Sequence, residues 1–343
     1  MRPGWIESPA FDLACFVLSP VAGLLFLGVV FAVSAPYALL VQAAVFYFVA
    51  VPHYMSTYTF YLGDDNLHYY RTRGLAFFGG PVIIALLVLA LWLLGFPPIV
   101  QAAVFVWNIW HVARQNSGIL SIYRRLHSGP GAEGGPAQWA LLGVSGGMTF
   151  WNIGRFPPVG RALSSLHPDA GHALAIALLA LGLVALGVLV KQLISRLRPP
   201  GWQEVAFLVS SLAMFHPYLW VSDYTLATLG MLMGHFVQYL ALVWLLHRRK
   251  YGPLASGSTG QRVLSLVSTR QMLLAAFIGA SGLFFIVSNQ ATAVLGVASV
   301  YTVSWFAFTL VHFYLDGFIW AFRQPFVRAS IGSYLMPPAR VVA

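Results

Sequence analysis

Residues 170–195 read AGHALAIALLALGLVALGVLVKQLIS, an apolar run from Ala173 to Val190 closed by Lys191. A helix crosses the ~30 Å hydrocarbon core of a bilayer with roughly 20 mostly apolar residues, so this segment alone predicts a transmembrane helix. The rest of the chain is of the same kind. Of 343 residues, 59% are hydrophobic and 8% charged, and the mean hydropathy is +0.77. A soluble domain carries roughly 25% charged residues. Too few charges exist here to coat a water-facing surface, so lipid must be the solvent for most of the protein. The expected fold class is all-α: a polytopic integral membrane protein, a single membrane-embedded helical domain over 1–343.

Applied outward from 170–195, the same rule gives about ten transmembrane helices, near 11–33, 36–62, 75–96, 98–123, 137–156, 170–195, 201–220, 223–247, 270–290 and 292–322. The fifth is interrupted by Gly143, Gly146 and Gly147 and contains the polar Asn152. Pro36, Pro97-Pro98 and Pro199-Pro200 mark helix starts or turns. The first run, Phe11 to Val33, also resembles a signal-peptide core followed by a cleavage-like Val33-Ser34-Ala35. Glu7 and Asp12 beside Arg2 argue instead for a retained helix.

Loop charges set the orientation. With the N-terminus in the cytoplasm, loops 63–74, 124–136, 191–200 and 248–270 and both tails become cytoplasmic. They hold sixteen of the nineteen Lys and Arg residues; Arg155 and Arg161 fall outside, and Arg114 lies within a span. This is the bias of the positive-inside rule, and it places both termini in the cytoplasm. The net charge of +10 is thereby explained without a nucleic-acid partner, for which no continuous basic face exists. Cys15 is the single cysteine, so no intramolecular disulfide forms. The glycine-rich stretch from Gly129 to Gly135 lacks the Lys-Ser/Thr ending of a phosphate loop and reads as a cytoplasmic connector.

Ionisable residues inside a bilayer are costly and usually functional. Of ten histidines, His68, His127, His167, His172, His216 and His247 fall in loops or near span ends, where solvated or interfacial roles are expected. His53, His111, His235 and His312 lie inside spans two, four, eight and ten, which all run from outside to inside. Counted back from the cytoplasmic ends they lie about nine to twelve residues deep, roughly 14–18 Å, near the midplane. If those helices surround a common interior, four imidazoles converge on one point. A neutral imidazole in hydrocarbon has both a donor and an acceptor to satisfy, and coordination of one ion satisfies all four acceptors together. Imidazole suits Fe, Zn and Cu, while a carboxylate-poor site disfavours Mg and Ca. The expected metal ligands are therefore His53, His111, His235 and His312. The alternative is that each histidine hydrogen-bonds a neighbouring helix on its own.

Polar residues accompany each of the four at helical spacing. Asp316 follows His312 by four residues; Arg114 and Gln115 follow His111; Gln238 and Tyr239 follow His235; Ser56 and Thr57 follow His53. Each partner lies on the same helix face as its histidine, and metal-ligating histidines need an acceptor on the second ring nitrogen. Asp316, Arg114, Gln115 and Tyr239 are thus the candidates for catalytic support. Gly230 and Gly234 form a small-xxx-small pair that allows close helix approach. Tyr54, Tyr58, Tyr61, Trp107 and Trp110 flank the histidine levels, either as belt residues or as the lining for a flat or polyene lipid.

The strings Val51-Pro52-His53-Tyr54, Trp110-His111-Val112-Ala113-Arg114-Gln115-Asn116, Gly234-His235-Phe236 and Val311-His312-Phe313-Tyr314-Leu315-Asp316 resemble, in order and spacing, motifs of the bacterial membrane β-carotene-cleaving oxygenases, the bacteriorhodopsin-related-protein family. The resemblance covers these four strings. Tyr54 and Thr57 stand where the family has Gly and Asp, and Tyr239 stands in place of a second histidine of the third motif. The resemblance implies an all-helical protein of a bacterial inner membrane whose matching histidines hold Fe(II) and activate O2 against a carotenoid.

The expected function is a metal-dependent membrane oxygenase, of the non-haem iron dioxygenase type, acting on a lipophilic, carotenoid-like or lipid substrate that enters from the bilayer. Fe(II) is the expected cofactor, with Zn, Cu or haem as alternatives. The competing functions are a transporter or proton pathway using the histidines as relays, and a haem-binding protein using them as axial ligands. The expected partners are the lipid bilayer and a lipophilic small molecule; no protein partner is read from the chain.

Overall fold

Proline and glycine decide where the helices begin, bend and stop. The computed structural model describes residues 4–128, 135–195, 201–252 and 257–336. Its principal helices are α1 (Ser19–Ala32), α2 (Ala35–Leu62), α3 (Leu75–Leu93), α4 (Pro97–Ser128), α5 (Gly135–Phe150), α6 (Ala170–Ile194), α7 (Trp202–Ala213), α8 (Tyr224–Tyr251), α9 (Gln271–Val294) and α10 (Ala298–Ile319). No strand occurs among the described residues. Of the connector expected from Gly129 to Gly135, all but Gly135 lies outside the described residues, as does Pro199-Pro200.

Among the described residues six helices, α2, α3, α6, α8, α9 and α10, are long and apolar enough to cross a membrane. The short helical segment Pro9–Val17 and α1, bent by 54° at their junction, together make a possible seventh. Their outer faces suit lipid: Ile83 is 58% exposed, Val184 67% and Phe284 64%. The protein is thus all-helical and of integral-membrane type.

The helices at the other three expected spans differ in ways the residues explain. α4 is long enough but too polar, and its Asn108, His111 and Asn116 are buried. α5, with 16 residues, reaches ~24 Å, and α7, with 12 residues, ~18 Å, both short of the hydrocarbon thickness. α7 stops at Ala213 because Pro217 has no N–H and its ring would meet the carbonyl four residues earlier.

The chain divides into two compact units, with α4 and α8 contributing residues to both. The first comprises Met1–Ala32, Phe105–Gln238 and Met336–Ala343; the second comprises Val33–Val104 and Tyr239–Leu335.

In the first unit, buried Asp12 accepts hydrogen bonds from Ile6 N (2.7 Å), Glu7 N (3.0 Å) and the Tyr123 hydroxyl (3.0 Å), which ties the N-terminal segment to α4. The α1 backbone lies against α8 at Gly230 and Gly234, where added Cβ atoms would crowd Leu27 and the Ser19 carbonyl. This is the close approach expected of that glycine pair. Gln238 Nε2 completes the contact by donating to Ser19 Oγ (2.8 Å) and Phe16 O (3.2 Å).

In the second unit, α3 and α9 end alike. Gly95 (φ +82°) and Gly296 (φ +71°) take the left-handed conformation, and the residue after each donates to the carbonyl five back: Phe96 N to Leu91 O, and Val297 N to Thr292 O, both 2.8 Å. This is a Schellman closure. It turns the chain from α3 into α4 and from α9 into α10. A Cβ in this region costs about 1–2 kcal/mol. Gly95→Ala and Gly296→Ala are each expected to destabilise the detergent-solubilised protein by about that amount, read as a lowered unfolding midpoint. Gly28→Ala, where a Cβ meets nothing within 4 Å and the helix interior favours Ala over Gly, should not lower the midpoint.

A second device prepares the site. Pro52, inside α2, cannot donate a helical hydrogen bond. The turn before it, Phe46–Ala50, widens into a π turn in which Val51 N bonds Phe46 O, so the Tyr47 carbonyl loses its usual donor. Gly282 of α9 lies against that carbonyl, where a Cβ would come within 2.6 Å of Tyr47 O. π turns recur at functional sites, and here the next residue after Pro52 is His53.

Candidate metal centre

Each unit holds one pair of the four span histidines. In the second unit, α2 supplies His53 and α10 supplies His312, and both are fully buried. Their Nε2 atoms are 3.1 Å apart and the rings meet at 69°. Asp316, one helical turn beyond His312, places Oδ2 3.9 Å from His312 Nε2. Its other oxygen, Oδ1, accepts from the Tyr239 hydroxyl (2.8 Å) and from Thr57 Oγ1 (3.0 Å). Thr57 Oγ1 is also 2.6 Å from the Tyr239 hydroxyl and 2.7 Å from His312 Nδ1. Thr57, Tyr239 and Asp316 Oδ1 therefore form a buried polar ring that meets His312 Nδ1 through Thr57. The Nε2 side faces His53.

In the first unit, His111 of α4 and His235 of α8 lie edge to face, with ring centroids 5.0 Å apart, and both are buried. Arg114 and Gln115 follow on α4, both half-buried. Of the four residues expected to give catalytic support, Asp316 and Tyr239 meet in the second unit, while Arg114 and Gln115 belong to the first.

Two residues read differently here than in the sequence. Thr57, expected to serve His53 on its own helix, instead contacts His312 across the unit. His247, assigned to a span end, is buried; its Nε2 lies 2.7 Å from Thr59 Oγ1, and its ring packs on Phe60 and Tyr251. The spacing between His53 and Thr57 puts both on one helix face, but nothing in it says which helix that face meets.

An aromatic wall adjoins the pair within the second unit. The Tyr54 ring contacts His53 (5.1 Å), His312 (4.8 Å) and Trp305 (5.1 Å), Phe46 packs on Trp305 (4.5 Å), and Tyr58 stacks on Phe308 at 11°.

The donor set fits a metal ion. Two nitrogens held ~2.1 Å from one ion in a tetrahedral or octahedral arrangement are roughly 3.0–3.4 Å apart, which matches the separation of the two Nε2 atoms. Asp316 Oδ2, 3.9 Å from His312 Nε2, lies within the ~4.2 Å span of one ion's ligands but beyond the spacing of adjacent ones. Comparison of the chain with family models, curated proteins and solved structures finds no match.

Proposed function

We propose that this chain is a metal-dependent, multi-pass membrane oxygenase in which His53, His312 and Asp316 hold Fe(II) beside an aromatic wall that receives a lipophilic substrate. The observation that carries the reading is the 3.1 Å approach of two buried imidazole Nε2 atoms from different helices, with a carboxylate oxygen 3.9 Å from one of them. A ferrous ion at this set would supply the one-electron and O2 chemistry that side chains lack. The protein's own part is to exclude water, which the burial of His53, His312 and Asp316 supports, and to orient the substrate against Tyr54, Trp305 and Phe308. Flat, apolar faces at this position suit a polyene or acyl chain more than a polar metabolite.

For the topology we propose ten spans with both termini in the cytoplasm, α5 and α7 completing their crossings through the short helical turns that follow them, Ile153–Arg155 and Pro217–Trp220. Helices lie at all ten expected positions, and the Lys and Arg distribution favours that orientation. Zn and Cu remain metals that this donor chemistry accepts. Haem suits the His53–His312 pair less well, because two nitrogens 3.1 Å apart leave no room for a macrocycle between them.

A second reading has its own observation. The run His53–His312–Thr57–Tyr239 is continuous at hydrogen-bonding distance (3.1, 2.7 and 2.6 Å), as a proton relay requires. Metal analysis and an optical spectrum of detergent-purified protein separate the two. Iron near one equivalent without a Soret band, with O2 uptake on adding a carotenoid or unsaturated lipid, is the expected result. Metal-free protein that conducts protons in liposomes would replace the oxygenase with the relay. His111→Ala and His235→Ala test the sequence-based expectation of four ligands: each should lose most of the metal, and unchanged loading in both would refute it.

A further inference from the structure

The second unit carries a polar cavity that shares no residue with the histidine pair. It lies at the end of α8, where Arg248, Arg249 and Lys250 follow one another, and measures about 390 Å³, within the range of small-molecule pockets. Asp65 and His68 of the short helix Asp64–Thr72, Lys250 of α8, and Phe326, Ser330 and Tyr334 of the helical segment 325–335 line it. Asp65 and His68, three residues apart, share one helix face. The walls are held from behind. Phe326 stacks on Tyr69 at 4.0 Å and 7°, and Arg249 Nη1 donates to Tyr334 O at 2.9 Å. Lys250 Nζ donates to the neutral Asn66 Oδ1 at 3.1 Å, and Asn66, itself buried, donates to Phe60 O at 3.3 Å.

Two features point to a ligand. Among the described residues the hydrogen-bond partner of the Lys250 ammonium is Asn66, which answers one of its three N–H donors. Ser330 Oγ is shielded from solvent yet has no hydrogen-bond partner among the described residues, a cost that a ligand oxygen would remove. The segments that build the cavity, 63–74, 248–252 and 321–336, hold seven Lys and Arg residues against Asp64 and Asp65, so the local field favours an anion. A phosphate can accept from the Lys250 ammonium and from the Ser330 and Tyr334 hydroxyls together. The Asp65 carboxylate would repel a bare anion, but it suits one that carries an ammonium beside the phosphate. We propose that this cavity binds a phosphoethanolamine group, with its phosphate on Lys250, Ser330 and Tyr334 and its ammonium on Asp65. The group is the headgroup of a membrane phospholipid or its free, soluble form. On the proposed topology the cavity opens at the cytoplasmic surface, where basic pockets beside transmembrane helices take lipid headgroups, and Phe326 offers an apolar wall for the glycerol end. A basic helix end that only complements the α8 dipole and faces water accounts for the charges but not for the shielded Ser330 hydroxyl. The site stands whether or not a metal binds at His53 and His312.

The test titrates full-length, delipidated protein in detergent with dihexanoyl-phosphatidylethanolamine, dihexanoyl-phosphatidylglycerol and O-phosphoethanolamine, and reads binding by native mass spectrometry. The ethanolamine lipid is expected to bind about 10-fold or more tightly than the glycerol lipid. Lys250→Met should weaken it by about 10-fold or more, the effect of losing a hydrogen bond between charged groups, and Ser330→Ala by less. Asp65→Asn should abolish the preference for ethanolamine over glycerol. Lys250 also ties α8 to Asn66, so its variant is checked for an unchanged unfolding midpoint; if that falls, Asp65→Asn, at an exposed position, decides alone. Competition by O-phosphoethanolamine at matching concentration supports the site with a soluble ligand, and binding of the lipid alone supports it with a headgroup. Equal affinity for the two lipids in wild type overturns the proposal. So does an ethanolamine preference that survives Asp65→Asn, or unchanged binding in a folded Lys250→Met protein.

Discussion

His312→Ala is expected to bring metal occupancy of the purified protein below about one-tenth of wild type, since removing only a supporting partner of a ligand lowers affinity roughly 10–100-fold. The imidazole is fully buried and addresses two sets of groups at once: Nε2 faces His53 at 3.1 Å, and Nδ1 faces Thr57 at 2.7 Å. Alanine removes both contacts and leaves Asp316 with no imidazole one turn back. His53→Ala should lose metal to a similar degree, because it deletes the other half of the pair. Tyr54→Phe is the matched control: it keeps the ring that packs on both histidines at 5.1 and 4.8 Å and should keep the metal. Metal analysis of the three variants, each checked for an unchanged unfolding midpoint with a metal chelator present, decides the matter. Full occupancy in His312→Ala would remove this pair from the centre.

The second large effect lies in the first unit and concerns stability. Arg124 of α4 donates through Nε to Glu204 Oε1 of α7 at 3.0 Å, and the two side chains are 2% and 3% exposed. Breaking a buried ion pair by deleting one partner costs about 3–5 kcal/mol, because the remaining charge stays in a poor solvent, whereas replacing both with apolar groups of similar size is often neutral. Arg124→Ala is therefore expected to lower stability by about 3–5 kcal/mol. The double variant Arg124→Leu/Glu204→Leu should recover most of that loss. The readout is chemical or thermal unfolding in detergent. A single variant as stable as wild type would show that the pair does not bind α4 to α7.

Neither residue of that pair could be matched to the other from the sequence. Arg124 counted there only as a cytoplasmic loop charge, and Glu204 had no assigned role. The same limit holds for α7. Its apolar composition reads as part of a span over 201–220, yet Pro217 ends the helix at Ala213 through a clash with a carbonyl four residues earlier. Where apolar length is the whole signal, as in α2, α3 and α6, helix and expected span agree to within three residues, whereas the break expected at 291 falls later, at the Gly296 turn between α9 and α10. Where polarity is mixed into the helix, as in α4 with Asn108, His111 and Asn116, hydropathy understates it, because those groups are buried among protein atoms and not turned to lipid.

Of the candidate site, the residue types and their depth were legible. His53 and His312 each sit in a long apolar segment, where an imidazole is conspicuous because hydrocarbon offers it no hydrogen-bond partner. The Asp316 offset from His312 follows from helical periodicity alone. Thr57 gave no comparable signal: a threonine is unremarkable in an apolar helix, and its partner His312 lies 255 residues away.

The amino-acid order by itself determined that lipid is the solvent, where the long helices lie, and that a few imidazoles and one carboxylate must be buried with them. These follow from local composition, summed over one helix at a time. Only the tertiary structure decided that His53 meets His312, and that Thr57 and Tyr239 close around Asp316. Those pairings depend on which helix faces meet and how deeply each is set, and the Pro52 π turn and Gly282 help fix both through contacts that no single segment encodes.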